Sequence, residues 1–245
     1  CTIGSGAADT LLIGDSHAQR WYPAFAEQAP RAGRSIDVFT LAGCAPVPGV
    51  SKLLNPRCGV YSDRLGGIAG RPAYRTVIVV AEWYVLFDPH AAYNVLCVQD
   101  AGLCRPVRED RHLRQVMARF DAMVRTLLAQ GKRVVIFAES PIAPFPVPDE
   151  IARRAFWSDG RADVRSVPRS AVQADPFGVD AMLAGLARAG AEVRDPAAGL
   201  CDARRCRIAD DRGFSLYKDN NHLREAVVRG VDLSAVIGSG AASPR

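Results

Sequence analysis

No run of apolar residues in this 245-residue sequence approaches the roughly 18 needed to cross a bilayer, and no charged-then-apolar leader opens it. A soluble piece is therefore expected. Lysine and arginine, 31 together, are scattered rather than bunched, and a formal charge of +5 is too slight to mark a nucleic-acid surface. Cys-x-x-Cys pairs, a phosphate-cradling Gly-Lys-Ser/Thr loop and internal repeats are all missing. Gly4-Ser5-Gly6 precedes the first apolar run instead of following it, so a dinucleotide loop is excluded by order. The four histidines, His17, His90, His112 and His222, form no ligand set, and no metal is expected.

What is present suits one core. With 49% hydrophobic and 23% charged residues, the chain is expected to form a single domain over 1–245, with 238–245 as a flexible tail. Six of the seven cysteines fall into three local couples in polar or Pro/Gly-rich segments. That suggests disulfides and an oxidising compartment. Spacing does not fix the pairing; the nearest-neighbour set is Cys44 with Cys58, Cys97 with Cys104 and Cys201 with Cys206, leaving Cys1 over. The sequence opens at Cys1 rather than Met, which reads as an excised or processed domain.

Short β-branched apolar runs at Thr10–Ile13, Ile36–Leu41, Thr76–Val80, Arg133–Ala138 and Ala191–Arg194 have the length of buried strands. Helical patterns at His17–Ala29, Asp110–Gln130 and Val179–Ala189 lie between them, with Gly131 and Gly190 placed as stops. Strand then helix, repeated, predicts a parallel sheet covered on both faces. Leu113, Val116, Met117, Phe120, Val124, Leu127 and Leu128 form one stripe of the second helix and are expected in the core. Pro141–Pro148, with four prolines, is expected as a rigid loop at the carboxyl edge of the sheet.

Leu11-Leu12-Ile13-Gly14-Asp15-Ser16-His17 puts a serine directly after a buried strand and at the first turn of a helix. Such a turn lifts the hydroxyl to the sheet edge, where helix N–H groups favour developing negative charge. Read alone, Ser16 is equally an N-cap. Far along the chain, Tyr217-Lys218-Asp219-Asn220-Asn221-His222-Leu223 sets an Asp and a His three residues apart ahead of a final helix. In that turn the carboxylate reaches one ring nitrogen and leaves the other for a serine, which needs a base to become a nucleophile. Without Ser16, Asp219 is an ordinary cap and His222 a surface residue. His17 lies beside the nucleophile, and its ring is expected to point away.

Gly-Asp-Ser-His near the start and Asp-x-x-His near the end resemble the first and fifth blocks of the SGNH (GDSL-like) hydrolases. That resemblance implies a flavodoxin-like three-layer α/β/α sandwich with a central parallel sheet of about five strands. In detail the sequence is similar to periplasmic SGNH domains fused to membrane acyltransferase family 3 proteins, which O-acetylate surface polysaccharides such as O-antigen. Ala42-Gly43-Cys44-Ala45-Pro46, Val79-Val80-Ala81-Glu82-Trp83 and Leu216–Leu223 carry the likeness.

The resemblance implies a triad of Ser16, His222 and Asp219, with Ser16 and Gly43 N–H groups as the oxyanion hole. It implies Trp83 as a surface for the acceptor sugar, a core Trp being the equal alternative. No cofactor bound in this domain is expected, the acetyl donor coming from outside. The implied partners are a polysaccharide and a fused or associated membrane acyltransferase domain, and the implied location is the periplasm, tethered to the inner membrane. A carbohydrate or lipid esterase and a non-catalytic glycan-binding domain remain as alternatives. The sequence departs from the family where a Gly-x-Asn-Asp block is expected: Glu82-Trp83-Tyr84 stands there, with no Asn. Backbone donors alone, a substituting group, or weak catalysis are the readings of that departure.

Overall fold

A computed structural model describes residues 1–88, 95–100, 103–108, 110–157, 165–172, 174–175, 177–195 and 198–238. Its main sheet has six strands: β1 (Thr2–Ile3), β2 (Thr10–Gly14), β3 (Ile36–Thr40), β4 (Thr76–Val80), β5 (Arg133–Phe137) and β6 (Glu192–Arg194). They lie in the order β1-β3-β2-β4-β5-β6. The last five are parallel to one another, while β1 is antiparallel to β3 at the edge. The five expected strands are thus all present within a residue of their limits, and β1 is an addition. Two residues of mixed exposure carry no pattern that would mark such a strand.

Alternation along the strands builds two cores. Leu11, Ile13, Val77, Val79, Val134 and Ile136 face one side, against the helices Arg57–Ala69, Asp110–Ala129 and Val179–Arg188. Leu12, Ile36, Val38, Ile78, Val135 and Phe137 face the other, with Phe25 of the helix Tyr22–Arg31 and Val228 of Glu225–Arg229. Because both faces are covered, β2 and β4 are buried at every position. The stripe on Asp110–Ala129 lies in the first core as expected, and Gly131 and Gly190 take positive φ at the ends of their helices.

Two expectations need correction. The helix expected over His17–Ala29 is two helices, Ser16–Arg20 and Tyr22–Arg31, broken at Trp21. Pro23 causes the break: it has no N–H to give the carbonyl four residues back, but it fits the first turn of a new helix. Of the Pro141–Pro148 loop, the last two residues instead open the helix Val147–Trp157, for the same reason.

The cysteines pair as nearest neighbours: Cys44–Cys58, Cys97–Cys104 and Cys201–Cys206, with Cys1 free and exposed. Cys44–Cys58 ties the turn after β3 to the start of Arg57–Ala69. Nearby, Val50–Lys52 joins Leu96–Asp100 and Leu103–Pro106 in a small antiparallel sheet that had no distinctive sequence signal. Among the described residues no helix is long and apolar enough to cross a membrane. Residues 239–245 of the expected tail, and His90, lie outside the described residues.

Candidate active site

The chain leaves β2 for β3 on one side and then places β4 on the other. Open α/β sheets form a crevice at such a reversal, above the strands' carboxyl ends. Gly14-Asp15-Ser16 stands there. Gly14 has φ 152°, and a Cβ on it would come within 1.8 Å of the Val80 carbonyl oxygen and 2.7 Å of Ala18 Cβ, so only glycine lets the turn pack. Its N–H donates to the Tyr61 hydroxyl at 3.2 Å, and that hydroxyl donates to the Gly14 carbonyl at 3.1 Å.

Asp15, not Ser16, caps the helix. One carboxylate oxygen accepts from the His17 N–H at 2.8 Å and the other from the Glu82 N–H at 3.0 Å, joining the turn after β2 to the end of β4. The Ser16 hydroxyl is left for another partner, and it lies 2.9 Å from His222 Nε2. On the far side of the ring, His222 Nδ1 is 2.8 Å from Asp219 Oδ2. The other oxygen of Asp219 accepts from the N–H groups of Asn221 and His222 at 3.0 and 2.8 Å. Two backbone bonds hold this loop to the proline-rich segment, from Ala143 N–H to the Asn220 carbonyl at 2.8 Å and from Val147 N–H to the Asp219 carbonyl at 3.0 Å. Segments 206 residues apart in sequence are thus brought into one hydrogen-bonded row.

Burial alone would raise the Asp219 carboxyl, but the N–H groups of His222 and Asn221 and the facing imidazole hold it below its ordinary value. Three other acids go the opposite way. Burial pushes Asp15 up to about 6, against the pull of its two N–H donors. Burial, then the charges of Asp15 and Asp219, pushes Glu82 up to about 8, and burial also takes Glu139 to about 8.

These three bind their protons more tightly folded than unfolded, so their contribution to stability is complete below the ordinary carboxylate range. It is lost as pH rises through about 6 for Asp15 and about 8 for the two glutamates. The melting temperature should fall by several degrees between about pH 5 and about pH 8.5. A melting temperature equal or higher at the alkaline end would contradict this burial of three carboxyls.

His17 lies otherwise than expected, and of the two readings of Trp83 the structure shows the core one. The His17 ring turns inward, its centroid 4.5 Å from that of His222, because the five-residue helix carries it under the site. Burial lowers it to about 3, so it is neutral, and its Nε2, 3.9 Å from Glu82 Oε2, has no hydrogen-bond partner among the described residues. Trp83 is 0% exposed, donates from Nε1 to the Phe137 carbonyl at 2.7 Å and stacks on Phe87. It is core and offers no face to a sugar. Gly43 lies half-buried on the turn after β3, with φ 70°, and the Leu41 N–H two residues before it donates to the Gly14 carbonyl at 3.1 Å.

Sequence reasoning also missed the hydrogen bond from Asn221 to Glu82, and Lys52, whose charge acts on Asp15 and Glu82. The acid ahead of Trp83, in place of the expected Asn, was the available signal for the first. Among the described residues, no group of three or more His, Cys, Asp or Glu is arranged to hold a metal ion.

A parallel sheet between two helical layers, with this hydrogen-bonded row at its switch point, is the architecture of an SGNH-fold protein. The chain belongs to the family of SGNH domains fused to AT3 domains, whose model matches residues 1–232. It is similar in structure to the periplasmic domain of a lipopolysaccharide acetyltransferase of Salmonella ser. Paratyphi A. There the TM-score is 0.66 at 13% identity, covering 93% of this chain and 81% of that one. A GDSL-like lipase from Bacteroides thetaiotaomicron aligns with a TM-score of 0.48 at 11% identity, over 93% of this chain and 86% of that one. Comparison with curated proteins finds no match.

Proposed function

We propose that this chain is a serine-dependent O-acyltransferase domain that moves an acetyl group to a hydroxyl of a cell-surface polysaccharide. The 2.9 Å contact between Ser16 Oγ and His222 Nε2 carries the reading, since serine needs a base within hydrogen-bond reach to act as a nucleophile. As Ser16 Oγ bonds to the acetyl carbon, His222 Nε2 takes its proton, and Asp219 stabilises the imidazolium through Nδ1. The tetrahedral oxygen takes N–H bonds from Ser16 and Gly43. His222 gives the proton to the departing oxygen, the old ester bond breaks, and acetyl-serine remains. A sugar hydroxyl then bonds to the acetyl carbon while His222 accepts its proton; Ser16 leaves and takes that proton back.

In this reading the domain binds no cofactor, and the donor arrives from outside it. Membership of a family fused to AT3 domains supports a membrane acyltransferase domain as that source. The Salmonella domain, described as periplasmic, supports a periplasmic site, and the fusion to AT3 domains in the family supports its tethering to the inner membrane. One observation favours an esterase as second reading: the side chains of His222 and Asp219 are 22% and 40% exposed, so water reaches the base. The two readings separate when the protein is given an acetyl ester with and without deacetylated polysaccharide. Acetyl bound to sugar is expected; free acetate alone, at a rate unchanged by the sugar, would leave hydrolysis.

A further inference from the structure

The acyl-serine cycle places a negative oxygen in a neighbourhood already rich in acids. Asp15 and Asp219 flank the turn, and the charges of both act on Glu82. Two backbone N–H groups would have to hold an oxyanion against that field. The end of β4 gives no side-chain amide to help, because Glu82 stands there and accepts a hydrogen bond from Asn221.

Lys52 is a cation close to this turn. Lys52 ends the short strand Val50–Lys52, paired there with Leu96. Its Nζ is 3.4 Å from the point a Cβ on Gly43 would occupy, which sets the ammonium against the turn that carries the Gly43 N–H. The side chain is partly buried, and among the described residues no carboxylate lies within ion-pair distance of it. It is felt by both Asp15 and Glu82, yet bonded to neither. The Cys44–Cys58 disulfide and the pairing with Leu96 fix both sides of the contact. An ammonium held in place without a partner is available to a charge that appears only during reaction.

Resting on the acyl-serine reading, we infer that Lys52 supplies the positive charge of the oxyanion site, its ammonium acting beside the Gly43 N–H on the oxygen that becomes negative. It stays protonated throughout and exchanges no proton. Lys52→Met should slow both fluorophosphonate labelling of Ser16 and ester turnover by about 100-fold, with the loss in kcat and little change in KM. Lys52→Gln should behave alike and serves if the Met variant folds poorly; Lys52→Arg should recover most of the rate. A structural role would instead lower the melting temperature and leave kcat within a few-fold. That result, or an Arg variant as slow as the Met one, overturns the inference. A wild-type protein whose Ser16 takes no label removes the serine reading itself, and this inference with it.

Discussion

Ser16→Ala should abolish labelling by a fluorophosphonate probe and cut ester turnover by about four to six orders of magnitude, while the melting temperature stays within a few degrees. The size of the effect follows from the row of hydrogen bonds. Nothing else in the row is a nucleophile: His222 already has Asp219 on one nitrogen, and Asp15 spends both oxygens on the N–H groups of His17 and Glu82. The fold should be indifferent, since Asp15 caps the helix and the Ser16 hydroxyl is not needed for that. Retained turnover would move the chemistry to another residue; retained labelling would do the same more directly. Lost turnover with a collapsed melting temperature would mean that the hydroxyl is structural.

Asp219→Asn is expected to lower turnover by about 10⁴-fold with the fold intact. An amide can still accept from the Asn221 and His222 N–H groups, so the loop keeps its shape. What changes is the group facing Nδ1. If the amide nitrogen faces the ring, the imidazole is driven into the tautomer with its proton on Nε2, and that nitrogen no longer accepts from Ser16. Even with the amide oxygen there, the imidazolium formed during attack loses its counter-charge. Near-normal turnover would show that the 2.8 Å contact of Asp219 with His222 holds the ring without assisting it.

The parallel sheet was legible because its strands are buried on both faces and so read as unbroken apolar runs. Val77-Ile78-Val79-Val80 has no other use for its side chains. The site was legible where it rests on local geometry: a glycine at a tight turn, a serine after it, and an Asp three residues from a His. Features set by tertiary contact were not. Whether the His17 ring faces inward depends on where a five-residue helix lands on the sheet, and Pro23, which ends that helix early, shifts the landing. For Trp83 the resemblance to the family left a sugar surface and the core as equal readings, and the Phe137 carbonyl, 54 residues away, together with the Phe87 ring decides for the core. Glu82 and Lys52 matter only through neighbours that the fold brings to them, such as Asp15 and Asn221 for Glu82 and Gly43 and Leu96 for Lys52.

The serine hydroxyl and the imidazole beside it also come from segments 206 residues apart in sequence. During synthesis the serine emerges 206 residues before the histidine that contacts it. A growing polypeptide therefore carries the serine without its imidazole partner, and the hydrogen-bonded row forms only once the segment around His222 reaches the sheet edge. On the acyl-serine reading, an unfinished copy would not be expected to capture acyl groups, since a serine without a base is a poor nucleophile.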